Sequence, residues 1–130
     1  MAEVTFVLLP EKIGSKNYFL AFSDGNPAGF FGVDLDTGYW TETWVVPEFR
    51  GDGIYSKFEL FLVASYPSRT WTIVGLYVPP SVVLRYQLKD GFTVVNPEEC
   101  DVYSLELEQR RAVLGESTYA KVLAVWEAQQ

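Results

Sequence analysis

Val45-Val46-Pro47-Glu48-Phe49-Arg50-Gly51-Asp52-Gly53-Ile54 joins a β-branched and aromatic run to an amphipathic run through a turn that holds two glycines. Upstream, Tyr39 to Val46 reads as a strand in which Trp40, Glu42 and Trp44 share one face and Thr41, Thr43 and Val45 the other. Downstream, Ile54, Phe58, Phe61, Leu62 and Ser65 recur at three- and four-residue intervals, the spacing of a helix laid on a sheet, with Lys57 and Glu59 off that stripe. A strand that enters a helix through glycines leaves backbone N–H groups uncovered where the helix dipole concentrates positive charge. Arg50, Gly51 and Gly53 therefore describe an anion site that needs no long basic side chain, and they read equally as a plain strand-to-helix turn.

Working outward, Val4 to Leu9 is a strand closed by Pro10. Tyr18 to Ser23 and Gly29 to Asp34 form a hairpin across Asp24-Gly25-Asn26-Pro27, and Asp36-Thr37-Gly38 turns into Tyr39. Pro67 stops the helix. Trp71 to Val78 is almost continuously apolar, as in a strand buried on both faces, and Pro79-Pro80 ends it. Pro80 and Ser81 open a second helix carrying Val82, Val83, Tyr86 and Leu88 or Lys89, with Gly91 as a left-handed exit. Phe92 to Val95 and Val102 to Glu108 are closing strands. Gly115 breaks the chain, Ser117 caps, and Tyr119, Val122, Leu123 and Trp126 form one face of a last helix over about 117–128. That face packs on the same core, or it meets a protein partner or a second copy. The class is α/β (α+β): one domain over 1–130, with a mixed, mostly antiparallel sheet of six to seven strands flanked by helices.

The 130 residues, 48% hydrophobic and 16% aromatic, suffice for one substantial core. A net charge of −7 excludes non-specific attraction to nucleic acid or anionic lipid, so neither a nucleic-acid nor a membrane partner is expected. With no histidine and one cysteine, Cys100, the chain has no internal disulfide, no imidazole or thiolate metal site and no Ser-His or Cys-His nucleophile pair. Glu, Asp, Tyr, Lys and the N-terminal amine remain as proton carriers. The start MAEVTF lacks the basic residues and apolar block of a secretory signal, from which a cytoplasmic location is expected.

Val46-Pro47-Glu48-Phe49-Arg50-Gly51-Asp52-Gly53-Ile54 and Leu84-Arg85-Tyr86-Gln87-Leu88-Lys89-Asp90-Gly91-Phe92 appear in this order after a meander of strands. In both, over roughly residues 28–108, the chain resembles the GNAT superfamily of acyl-coenzyme A N-acyltransferases. Its first motif is Arg/Gln-x-x-Gly-x-Gly/Ala after a strand ending Val-x-Pro; its second is a helix end with an aliphatic residue, Tyr and Gly-Phe. The resemblance implies an acyl-CoA N-acyltransferase-like fold with reduced N-terminal helices and an added C-terminal helix. It implies acetyl-CoA as cofactor, held by Val45, Val46, Arg50, Gly51, Asp52, Gly53, Ile54 and Tyr55, with the pantetheine arm in a splay between two strands. The acetyl group passes directly to an amine of a protein or small molecule, a backbone N–H near Val46 polarising the thioester. Glu42 is the candidate base, flanked by Trp40 and Trp44, and Tyr86 the candidate acid for the leaving thiolate. Glu42 also reads as a surface residue and Tyr86 as a core residue.

The chain departs from the family pattern at several places. Tyr86 lies five residues before Gly91, where the family has four; Tyr55 replaces a small residue; Asp52 puts a carboxylate beside the phosphates; Pro79-Pro80 stands where the family often has Asn. The short Leu9-to-Tyr18 connection has no room for the two helices that usually wall the acceptor site. Compact members of this kind occur among bacterial and bacteriophage proteins. The alternative is thus a catalytically degenerate protein of the same fold serving as a binding, assembly or virion-structural module, or as a sensor of the cofactor.

Overall fold

The computed structural model describes residues 2–74, 80–97 and 105–130. Strands β1 (Val4–Leu8), β2 (Asn17–Ser23), β3 (Asn26–Asp34), β4 (Tyr39–Val45), β5 (Trp71–Val74) and β6 (Phe92–Val95) lie side by side in sequence order in one six-stranded sheet. β1 to β4 form an antiparallel meander, whereas β4, β5 and β6 run parallel. Parallel neighbours require crossovers, here α1 (Ile54–Ser65) and α2 (Pro80–Gln87). Two successive crossovers stepping the same way put both helices on one face. The other face is covered by α3 (Leu105–Ala128).

Alternation along the meander sorts the core into two halves. Phe19, Ala21, Phe31 and Val33 pack with Ile54, Phe58 and Leu62 of α1, while Tyr18, Leu20, Phe22 and Phe30 pack with Val122 of α3. Tyr119, Leu123 and Trp126 complete the second half, so the stripe on the last helix serves the chain's own core. No helix among the described residues is long and apolar enough to cross a membrane.

Two irregularities in the meander bear on the site. Between Ala21 and Phe22 the β2–β3 register shifts, and Gly29 follows with φ 149°; a Cβ there would lie 2.4 Å from the Trp44 carbonyl oxygen. In β4, Glu42 stands opposite Gly32 and Trp40 opposite Val33, which leaves Thr41 as an extra residue. That bulge overturns the expected sharing of one face by Trp40, Glu42 and Trp44. Trp40 and Val45 belong to the α1 side of the core, whereas Trp44 packs with Tyr119 of α3.

The C-terminal third also differs from expectation. Leu105 to Glu108, expected within a closing strand, are helical, and α3 begins twelve residues before the anticipated start at 117. Residues 102–104 of that expected strand, 75–78 at the end of the expected Trp71–Val78 strand, and Pro79 after it lie outside the described residues. Gly115 does not break the chain. It lies within α3 where Trp44 crosses, and a Cβ there would fall 2.7 Å from Trp44 Cδ1. Gly115→Ala is therefore expected to destabilise by about 1–2 kcal/mol, because overpacking against Trp44 outweighs the roughly 1 kcal/mol of helix propensity gained. Urea unfolding checks this, and a stabilised variant would mean that α3 does not ride on Trp44.

Candidate functional site

β5 is tied to β4 only at its start. The Thr72 N–H donates to the Gly38 carbonyl at 2.8 Å, Tyr39 aligns with Thr72, and no other pair joins the two strands among the described residues. Ile73 and Val74, the described residues of β5 that follow, have no aligned partner in β4. The gap is a cleft of about 300 Å³ between Thr41 to Thr43 of β4 and Ile73 of β5, with Tyr55 and Tyr86 on the α1 and α2 side and Lys16 and Arg111 also at its wall. A second cleft of about 560 Å³ lies at the start of α1, bounded by Trp44, Val45, Arg50, Gly51, Gly53 and Ile54. Thr43, Tyr55 and Arg111 border both, so the two are continuous neighbours with Tyr55 at their junction.

The glycines at the turn have a conformational reason. Gly51 (φ 91°) and Gly53 (φ 75°, the N-cap of α1) are left-handed. Gly53 has no side chain to cap the helix, and none makes a capping bond. Lys57 is the first residue whose N–H returns into the helix, to the Gly53 carbonyl at 3.0 Å. Ile54, Tyr55 and Ser56 thus present the first-turn donors, which have no acceptor within the helix itself.

Three of the preceding amides are committed. Phe49 N–H donates to Val46 O (2.9 Å), Arg50 N–H to Pro47 O (3.2 Å) and Asp52 N–H to Phe49 O (3.4 Å), so the anion-facing set is shorter than the expected run from Arg50. The Arg50 side chain also turns inward: Nε donates to the Val45 carbonyl at 2.8 Å and the guanidinium lies 5.7 Å over Trp44. The Val46 N–H, expected to polarise a thioester, donates instead to Ala28 O at 2.8 Å. Strand alternation turns the Val45 N–H to the opposite edge, towards the gap, which makes it the donor in that position. Asp52 is exposed on the turn. The Tyr55 ring lies back from the turn, stacked on Trp40 at 5.6 Å and edge-on to Phe31 at 5.5 Å.

Glu42 is not held between two tryptophans as expected, because the bulge at Thr41 turns Trp40 to the other face. Its Oε1 pairs with Lys16 Nζ at 2.5 Å and accepts from the Tyr18 hydroxyl at 3.5 Å. Burial first, and the neighbouring Glu42 carboxylate second, push the Tyr18 phenol up to about 12. Thr43 braces the bulge, its Oγ1 accepting from Trp40 Nε1 at 2.7 Å and donating to the Glu42 carbonyl at 2.8 Å.

Tyr86 lines the same cleft and is 2% exposed, so the core reading and the site reading of this residue coincide. Its hydroxyl donates to Glu59 Oε1. Glu59 was expected off the buried stripe of α1, yet it is 3% exposed, paired with Arg85 at 2.6 Å and with Lys89. Arg85 and Tyr86 of α2 and Lys89, two residues past its end, converge on it. The sequence signal was weak: Arg85 and Lys89 flank Tyr86 four residues apart, two cations that a carboxylate can join. Burial and the Glu59 carboxylate raise the Tyr86 phenol far above its ordinary value. For Glu59 itself burial works upward, but bonds from Lys89 and Tyr86 and the charge of Arg85 win and hold it below the usual carboxylate range.

A depressed folded-state value means that the stabilisation is present above the unfolded Glu value of about 4.3 and is lost as pH falls through the folded one. Glu59→Gln is expected to cost about 1–3 kcal/mol at pH 7, with the gap to the unmodified chain closing below roughly pH 4. Urea midpoints across pH 3–7 measure it; a gap that does not change with pH would show that the Glu59 charge is not what ties α1 to α2. No family model matches the chain, and neither a curated protein nor a solved structure does.

Proposed function

We propose that the protein is an acetyl-CoA-dependent N-acetyltransferase of the GNAT type, moving an acetyl group to a primary amine. The observation that carries this reading is the cleft between Thr41 to Thr43 of β4 and Ile73 of β5, where the parallel strands share a single aligned pair among the described residues, with an uncapped helix N-terminus nearby. A pantetheine arm lies along such a gap on main-chain groups, and its diphosphate meets the first-turn N–H donors of Ile54, Tyr55 and Ser56. The Val45 N–H then faces the thioester carbonyl, and Glu42 takes the proton of the attacking amine. The host cytoplasm, or a virion if the chain is phage-encoded, is the context this reading favours.

A second reading is supported by two other features. The Tyr55 ring stands at the junction of the two clefts, and the Tyr86 hydroxyl is committed to Glu59. Both fit a protein of this fold that no longer turns over and acts as a binding or assembly module.

Calorimetry with acetyl-CoA separates the two. Saturable binding is expected, and Asp52→Lys is expected to tighten it several-fold at low salt with the gain shrinking at high salt, since the exposed carboxylate repels phosphate through screened solvent. No heat of binding in either protein sinks the transferase and leaves the module. With binding in hand, Glu42→Gln should lower thiol release to a panel of polyamines and basic peptides by about 100-fold or more while the heat of binding stays. Turnover unchanged in that variant removes Glu42 from the chemistry.

A further inference from the structure

Resting on that reading, we infer that Lys16 is itself an acceptor: its Nζ is the amine that a thioester in the β4–β5 cleft acylates, making Lys16 a self-modification site. The chain has five lysines, Lys12, Lys16, Lys57, Lys89 and Lys121, and among the described residues only Lys16 lines this cleft. It does so beside Glu42, with Nζ 2.5 Å from Oε1 and both side chains 32% exposed, which is an ammonium already in contact with the carboxylate that would remove its proton. The main chain beneath is fixed. Ile13 and Lys16 exchange two backbone hydrogen bonds, at 3.0 and 3.3 Å, and β2 starts at Asn17, so the tight β1–β2 connection delivers this side chain to the cleft wall.

The other described lysine contacts lead elsewhere. Lys12 pairs with Asp36 in solvent, Lys57 donates to the Ala2 carbonyl and Lys89 serves Glu59. A reacting amine held in the same molecule as its base, next to the bound acyl group, acts at an effective concentration far above that of a diffusing one.

Glu42 accepts one proton from the Lys16 ammonium, and the freed nitrogen lone pair attacks the thioester carbonyl. As the tetrahedral adduct collapses, the C–S bond breaks and the thiolate leaves with the electron pair. The second nitrogen proton passes to the thiolate, and Glu42 returns its proton to solvent. The products are an Nζ-acetylated Lys16 and free coenzyme A thiol. The amide carries no charge, so the ion pair to Glu42 is lost.

The experiment incubates the full chain with acetyl-CoA and quantifies acetyl-lysine at each position by peptide mass spectrometry, with calorimetry and thiol release to added amines on the same preparation. Lys16 is expected to label at least tenfold faster than Lys12, at a rate per molecule independent of protein concentration. Urea-unfolded chain should lose that preference, and Glu42→Gln should slow Lys16 labelling at least tenfold. Equal labelling of Lys12 and Lys16 in the folded chain, a rate per molecule that rises with protein concentration, or an unchanged rate in Glu42→Gln overturns the inference. Binding and thiol release to added amines without a Lys16 label overturn it alone and leave the transferase standing, whereas absence of binding overturns both.

Discussion

Between Trp40 and Glu42 the ladder from β4 to β3 gains one residue, Thr41, and the direction of every later side chain in the strand depends on it. A strand has a side-chain period of two, so one added residue exchanges faces. Trp40 is thereby sent to the α1 and α2 side, where it meets Phe31, Tyr55, Phe58 and Tyr86 at 5.3–6.0 Å. Glu42 and Trp44 go to the other side, towards Tyr18 and α3. Trp40, Tyr55 and Tyr86 of this aromatic cluster line the cleft beside β4.

The clamp between α1 and α2 holds the far wall of that cleft. Glu59 receives Arg85 and Tyr86 of α2 and Lys89 just beyond it, so the two crossover helices are joined by charge-assisted bonds. Burying a carboxylate costs free energy that a single partner would scarcely offset, and here three donors converge on it. The consequence for the cleft is a Tyr86 ring locked in place, against Trp40 at 6.0 Å and Phe92 at 5.2 Å, with its hydroxyl facing Glu59.

Some elements were readable because their causes are local. The Asp24-Gly25 turn has both residues at positive φ, 48° and 81°, as the hairpin demands, and the Gly53 to Ile54 junction starts a helix where the glycine signal stands. The stripe Tyr119, Val122, Leu123, Trp126 found its core because helical spacing alone defines that face. Other features were hidden because their causes are distant in the chain. Gly115 looked like a stop, since only the presence of Trp44 some seventy positions earlier explains a glycine inside a helix. Glu59 stood off the apolar stripe of its helix, since its partners, Arg85 and Lys89, come from a distant part of the chain.

The amino-acid order by itself determined the alternation that builds the meander, the glycine-led start of α1 and the absence of imidazole and paired thiol chemistry, all of which follow from residue type and spacing. The tertiary structure alone decided that Thr41 is an extra residue, that Val45 rather than Val46 turns its N–H to the gap, and that Lys16 meets Glu42. These depend on register between strands and, for Lys16 and Glu42, on a contact across 26 residues of chain, which the pattern of any one segment does not encode.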